Sequence, residues 1–134
     1  MFAKQISVFI ENKTGRFAEI LEVLTDMGVN MKAMSLSDTA TFGVLRFIAD
    51  EAEGLAAELK QRGLTASVTD VLIVKLKDEV GGLSKAISML AKEGIGVEYA
   101  YAFLTCDRGY ASVVLRCSDD EYAAKVLEYG FPGN

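Results

Sequence analysis

Asn12, Lys13, Thr14 and Gly15 follow one another where an alternating apolar segment gives way to a run with helical spacing. The first main-chain amides of a helix lack carbonyl partners and lie at the positive end of the helix dipole, so such a junction is a prepared site for a carboxylate. Asn12 and, further on, Asn30 each carry an amide donor and a carbonyl acceptor. With Arg16 and Phe17 opening the helix and Met31 following Asn30, the set suits a small molecule bearing both a carboxylate and an ammonium. The same residue types also make ordinary structure: Asn before a helix is a common cap, and Gly15 supplies backbone freedom with or without a ligand.

Other chemistry is poorly provided for. The 134 residues contain no histidine, which removes the commonest general base and the commonest metal ligand. No carboxylate pair or lysine stands in a recognisable catalytic constellation, so no catalytic residue, cofactor or metal is expected. Nineteen acidic residues against fourteen basic ones give a net charge of -5, which repels a phosphate backbone and argues against a nucleic-acid partner. Cys106 and Cys117 are too few for a disulfide framework; across a hairpin centred near residues 107–109, Cys106 would face about Tyr110 and Cys117 would lie far along the ladder. Free thiols are expected. The segment MFAKQISVFIENK lacks the pattern of a secretory leader, and no run of 18 apolar residues occurs. A soluble, cytoplasmic protein with no membrane partner is the expectation.

The elements that must position Asn12 and Asn30 occur twice. ENKTGRFAEILEVLTDMGVN, Glu11 to Asn30, is echoed by KDEVGGLSKAISMLAKEGIG, Lys77 to Gly96. Ahead of each lies a strand, with Ile6, Val8 and Ile10 on one face of the first and Leu72, Val74 and Leu76 on one face of the second. Phe17, Ile20, Leu21 and Leu24 have the i, i+3, i+4, i+7 spacing of a one-sided helix, matched by Leu83, Ala86, Ile87 and Leu90. Gly28 and Gly94 close these helices. A second and a third strand follow in each copy, roughly residues 30–36 and 41–49, then 97–104 and 110–117, with TCDRGY as a tight hairpin connection. The next helix carries Ala52, Leu55, Ala56 and Leu59 inward and stops at Gly63. Its counterpart starts at a Ser118–Glu121 capping box, turns Ala123, Val126 and Leu127 inward and ends at Gly130.

The order strand, helix, strand, strand, helix, strand is the split βαβ or ferredoxin-like unit, an α+β fold with helices on one face of an antiparallel sheet. Domain boundaries are expected at 1–69 and 70–134. In such a unit the start of the second strand is expected at the same end or edge of the sheet as the loop after the first, which would bring Asn30 to Asn12. LTASVT, residues 64–69, supplies a fourth strand for the first copy and runs into the second copy without a flexible linker. After Gly130 only FPGN remains, so the second unit lacks a full last strand and is either truncated or completed by another chain. A lone unit of this size buries only about 60% of its unfolded surface, so duplication adds stability as well as a symmetric interface.

A doubled βαββαβ unit with ENKTG, the helix RFAEILEVLTDMG and then VNM resembles the ACT domain, the regulatory module that binds free amino acids, over essentially the whole chain. In the ACT domain of serine-regulated phosphoglycerate dehydrogenase the loop reads His-Glu-Asn-Arg-Pro-Gly and the second strand opens Gly-Val-Asn. Asn12 falls on the loop asparagine, Gly15 on the turn glycine and Asn30 on the strand asparagine; Ile10 replaces the histidine and Thr14 the proline. The resemblance implies units that pair side by side, with the effector at the seam between the loop of one and the strand of another. The second copy resembles the family through Gly81, Gly82 and Leu83 but has Asp78 and Gly96 where the first has asparagines, which suits a partner surface.

The reading is therefore a non-catalytic regulatory protein that binds a free amino acid between ACT units and passes the effect on allosterically, as a homodimer acting on an amino-acid-metabolism enzyme or regulator. A structural adaptor with a vestigial site is the alternative. An acylphosphatase-like enzyme using Arg16 to hold phosphate is a third reading, although that family's characteristic glycine, glutamine and phenylalanine-arginine loop is absent. The alternating Tyr99, Tyr101 and Phe103 read as core or interface rather than a base-stacking platform, and Arg46 and Arg116, at equivalent third-strand positions, as ion-pair residues.

Overall fold

Ile6, Val8 and Ile10 are buried along β1 (Phe2–Glu11), as the alternation requires. The computed structural model describes residues 1–39, 41–105 and 107–134. Its further elements are α1 (Arg16–Asp26), β2 (Ala33–Asp38), β3 (Phe42–Ile48), α2 (Ala52–Gln61), β4 (Thr65–Lys77), α3 (Gly82–Lys92), β5 (Val97–Ala102), β6 (Tyr110–Cys117) and α4 (Asp120–Gly130). This is the βαββαβ order read twice, with the second round lacking its last strand.

The chain forms two compact units, Lys4–Thr69 and Met1–Ala3 together with Asp70–Asn134, so β1 and β4 each pass from one unit into the other. The first unit orders its strands β2-β3-β1-β4, the second β4-β6-β5. β3 pairs antiparallel with both β1 and β2, and β6 with both β4 and β5. One core gathers Ile6, Val8, Ile10, Ile20, Leu24, Leu45, Phe47 and the apolar side of α2; the other gathers Leu72, Val74, Leu76, Ala86, Leu90, Leu115 and Leu127. In the middle of β1 burial is not confined to the apolar face. Gln5 and Ser7, on the face opposite Ile6 and Val8, are 0% and 8% exposed, and the Gln5 amide donates to the Ser7 hydroxyl at 3.2 Å.

Two local expectations are corrected. α4 is capped by Asp119, whose carboxylate accepts from the Tyr122 amide at 3.0 Å, while the Ser118 hydroxyl accepts from the Gly96 amide at 3.0 Å. A cap acts on the amide three residues on, and the helix starts one residue later than the Ser118–Glu121 pairing assumes. α4 ends at Gly130 as expected, without a left-handed turn, and the tip of the Met89 side chain lies close against that glycine. Leu83, expected on the inward face of α3, is 46% exposed.

The missing last strand has substitutes within the chain. The Ile73 amide donates to the Met1 carbonyl at 2.7 Å. Two residues along β4, the Asn134 side chain accepts from the Lys75 amide at 2.5 Å and donates to the Lys75 carbonyl at 3.1 Å, copying a strand's pair of ladder bonds.

Candidate functional site

The two strand-to-helix loops are built on one main-chain plan. Gly15 and Gly81 precede their helices with φ of 87° and 83°, a left-handed conformation that an L side chain strains to adopt, and neither helix has a side-chain cap. In the first loop the Lys13 amide donates to the Glu11 carbonyl (2.9 Å), Arg16 to Lys13 (3.2 Å) and Glu19 to Gly15 (3.0 Å). In the second, Glu79 donates to Lys77 (3.0 Å), Gly82 to Glu79 (3.1 Å) and Lys85 to Gly81 (3.0 Å).

Side chains distinguish them. Asn12, Lys13, Thr14 and Gly15 are exposed, with Arg16 and Phe17 half-buried. The Asn12 amide donates to the Asp38 carboxylate at 2.8 Å, and Asn12 and Asp38 share a cavity of about 240 Å³ with Lys13, Phe17, Leu36 and Ser37. With Glu11 also in the lining, one cation, two carboxylates and an amide surround the space beside the amino end of α1. The Arg16 guanidinium pairs with Glu19 at 2.9 Å across one helical turn. In the second loop Asp78 replaces Asn12, and Gly82 replaces Arg16 because a Cβ there would lie 2.5 Å from the Lys77 carbonyl oxygen.

Asn30 does not join Asn12 within the unit. Ala33 lies opposite Ile48, itself opposite Gln5, whereas Asp38 and Ile10 both lie opposite Gly43. β1 and β2 therefore run the same way, and the loop leaving β1 and the loop entering β2 are at opposite ends, separated by roughly the length of β2, about 20 Å for a six-residue strand. The expectation of a shared end is wrong for that reason: a helical crossover returns the chain to the starting end of the sheet. Asn30 instead lines a cavity of about 470 Å³ with Gly28, Asp50, Glu51 and Glu58, and Met31 packs against the first core. The residue that does meet Asn12 is Asp38, which sequence reasoning passed over although the parallel course of β1 and β2 places it there.

The remaining candidates have structural partners. Arg116 pairs with Asp120 and donates to the Asp70 carbonyl at 3.0 Å; Arg46 donates to the Ser37 hydroxyl at 2.9 Å. Tyr99 and Tyr101 stack with centroids 6.5 Å apart, and Tyr101 is buried. The Cys117 thiol is free and buried, and burial pushes its pKa up to about 11. The expected Cys106–Tyr110 juxtaposition lies outside the described residues. A hydrogen bond to Glu93 raises the Tyr122 hydroxyl above its usual pKa. Among the described residues no group of three or more His, Cys, Asp or Glu side chains is arranged to hold a metal ion, and no helix is long and apolar enough to cross a membrane.

A family model described as an ACT domain pair matches residues 1–129. The chain belongs to the ACT family. This ACT pair is similar to the crystal structure of protein BT0572 from Bacteroides thetaiotaomicron, with 34% identity over 97% of this chain and 89% of that one and a TM-score of 0.88. It shares its fold with the ligand-free regulatory subunit of aspartate kinase from Thermus thermophilus, at 14% identity, 98% and 95% coverage and a TM-score of 0.65. The regulatory subunit of aspartate kinase from Thermus flavus follows at 17% identity, 98% and 95% coverage and a TM-score of 0.58. No curated protein matches the chain. The two ferredoxin-like units and the ACT resemblance read from ENKTG, the helix and VNM are borne out.

Proposed function

We propose that this ACT pair is a non-catalytic regulatory protein that binds a free amino acid at a seam between ACT units. The observation that carries the reading is the exposed loop 12–15 of a family member, where Asn12, Lys13 and Asp38 line a cavity beside the amino end of α1. Lys13 and the loop amides near residues 14–17 take the carboxylate, and Asp38 with Asn12 takes the ammonium. Asn30, some 20 Å away along β2, serves a seam only from a second unit. The reading therefore requires an assembly, with a homodimer as its simplest form. Gly81, Gly82 and Leu83 of the second copy offer a partner surface. Binding shifts the balance between arrangements of units, and the output passes to an enzyme or regulator of amino-acid metabolism. Fold likeness to regulatory subunits of aspartate kinase supports a role outside a catalytic centre.

The test is thermal and chemical denaturation against the twenty amino acids. A ligand at one hundred times its dissociation constant adds about 2.7 kcal/mol of stability; no response to any of them removes the reading and leaves the adaptor. With a ligand in hand, Asn12→Ala and Asn30→Ala each weaken binding by at most a few kcal/mol. Mixed dimers of the two variants keep one intact site if loop and strand come from different chains, and none if they come from the same one.

A further inference from the structure

Among the described residues no strand follows α4 in the second unit, where β4 follows α2 in the first, and a cavity beside that place is lined by three lysines. In the first unit β1 has β3 on one flank and β4 on the other. In the second, β4 has β6 on one flank; on the other, past the start of β1, the Met1 carbonyl accepts from the Ile73 amide and the Asn134 side chain bonds the main chain of Lys75. Beyond Asn134 a cavity of about 290 Å³ remains, walled by the end of β4, the first turn of α3 and the tail Gly130–Asn134.

Three lysines line it against one acid, Glu79, in a chain whose net charge is -5. Lys75 and Lys77 alternate onto one face of β4, and Lys85 reaches in from α3. Aromatic rings hold two of them in place: the Lys75 ammonium is 4.7 Å from the centre of the Tyr110 ring and the Lys85 ammonium 5.4 Å from that of Phe131. Lys75 is also paired with Asp107, whose hydrogen bond raises its pKa, so it stays charged throughout the physiological range. Gly82 completes the wall, since any side chain there would strike the Lys77 carbonyl. The other described cavities run from acidic, with Asp50, Glu51 and Glu58, to a slight basic excess, with Lys92 and Lys125 against Glu93.

We propose that this strand-gap cavity binds a compact dianion, an inorganic phosphate or a small dicarboxylate, held by Lys77 and Lys85 with Lys75 exchanging part of its Asp107 pairing for the ligand. Gly82 also belongs to the partner surface proposed for the amino-acid seam, but the three lysines play no part there, so the two readings are tested separately. Calorimetric titration of the full chain with sodium phosphate and with sodium succinate, each against sodium chloride at equal ionic strength, tests it and tells the two sources apart. Saturable binding of at least one is expected. It should weaken about tenfold in each of Lys77→Gln and Lys85→Gln, the scale of one charged hydrogen bond, and stay unchanged in Lys92→Gln, which lies on α3 outside the cavity. Binding of neither anion beyond the chloride control, or affinity unmoved by both cavity substitutions, overturns the proposal. Amino-acid binding measured on the same variants separates its failure from a failure of the seam.

Discussion

The loops Glu11–Phe17 and Lys77–Leu83 carry matching main-chain bonds and different side chains. In the first, left-handed Gly15 is followed by Arg16, and Asn12 reaches Asp38; in the second, left-handed Gly81 is followed by a second glycine that the Lys77 carbonyl makes obligatory. The difference teaches that the bend from strand to helix needs only the backbone plan. The Asn12–Asp38 bond of the first copy is an addition to that plan. In the second copy the position after the turn glycine has become a packing contact.

Variants can break or sharpen this pairing. Leu24 and Leu90, both buried, occupy the same slot of α1 and α3; Leu24→Ala and Leu90→Ala should each cost about 2–5 kcal/mol in urea unfolding. Unequal costs would mean that one core collapses around the void better than the other. Gly82→Ala should cost about 1–3 kcal/mol, because the new methyl group meets main-chain oxygen that cannot swing away. Asn134→Ala should cost about 1 kcal/mol and speed hydrogen exchange at the Lys75 amide, a loss without counterpart in the first unit.

The second unit also carries a pH dependence that the first, without a cysteine, lacks. Cys117 ionises near 9.0 when unfolded and at about 11 when folded, so the native state holds its proton longer. Its contribution is fully present below pH 9 and is lost as pH rises toward 11, a decline that Cys117→Ala should flatten in denaturation series across that range. The smallest effect belongs to Arg16→Ala. It breaks an exposed pair with Glu19 and should change stability by no more than about 0.5 kcal/mol.

Much of the fold was legible because its signals are local. Alternation marked β1 and β4, helical spacing marked α1 and α3, and Gly28 and Gly94 take the left-handed turns expected of them, with φ of 74° and 72°. Signals that depend on distant partners were missed. Nothing near Gly130 announces that Met89 will press against it, and nothing near Ser118 announces that Gly96 will claim its hydroxyl. The loop of the candidate site was found from residue types alone. Its neighbour within the unit was assigned wrongly because strand direction, which puts Asp38 rather than Asn30 beside Asn12, was not carried through the helical crossover.

The place of Met1–Ala3 has a consequence for biosynthesis. Those residues are made before Lys4–Thr69, yet their contacts lie with Asp70–Asn134, which is made after it. The stretch between them can condense while translation proceeds, but Met1–Ala3 must wait for the segment beyond it. A fusion partner attached ahead of Met1 would therefore burden the half of the molecule farthest away in the reading frame and spare the half nearest to it.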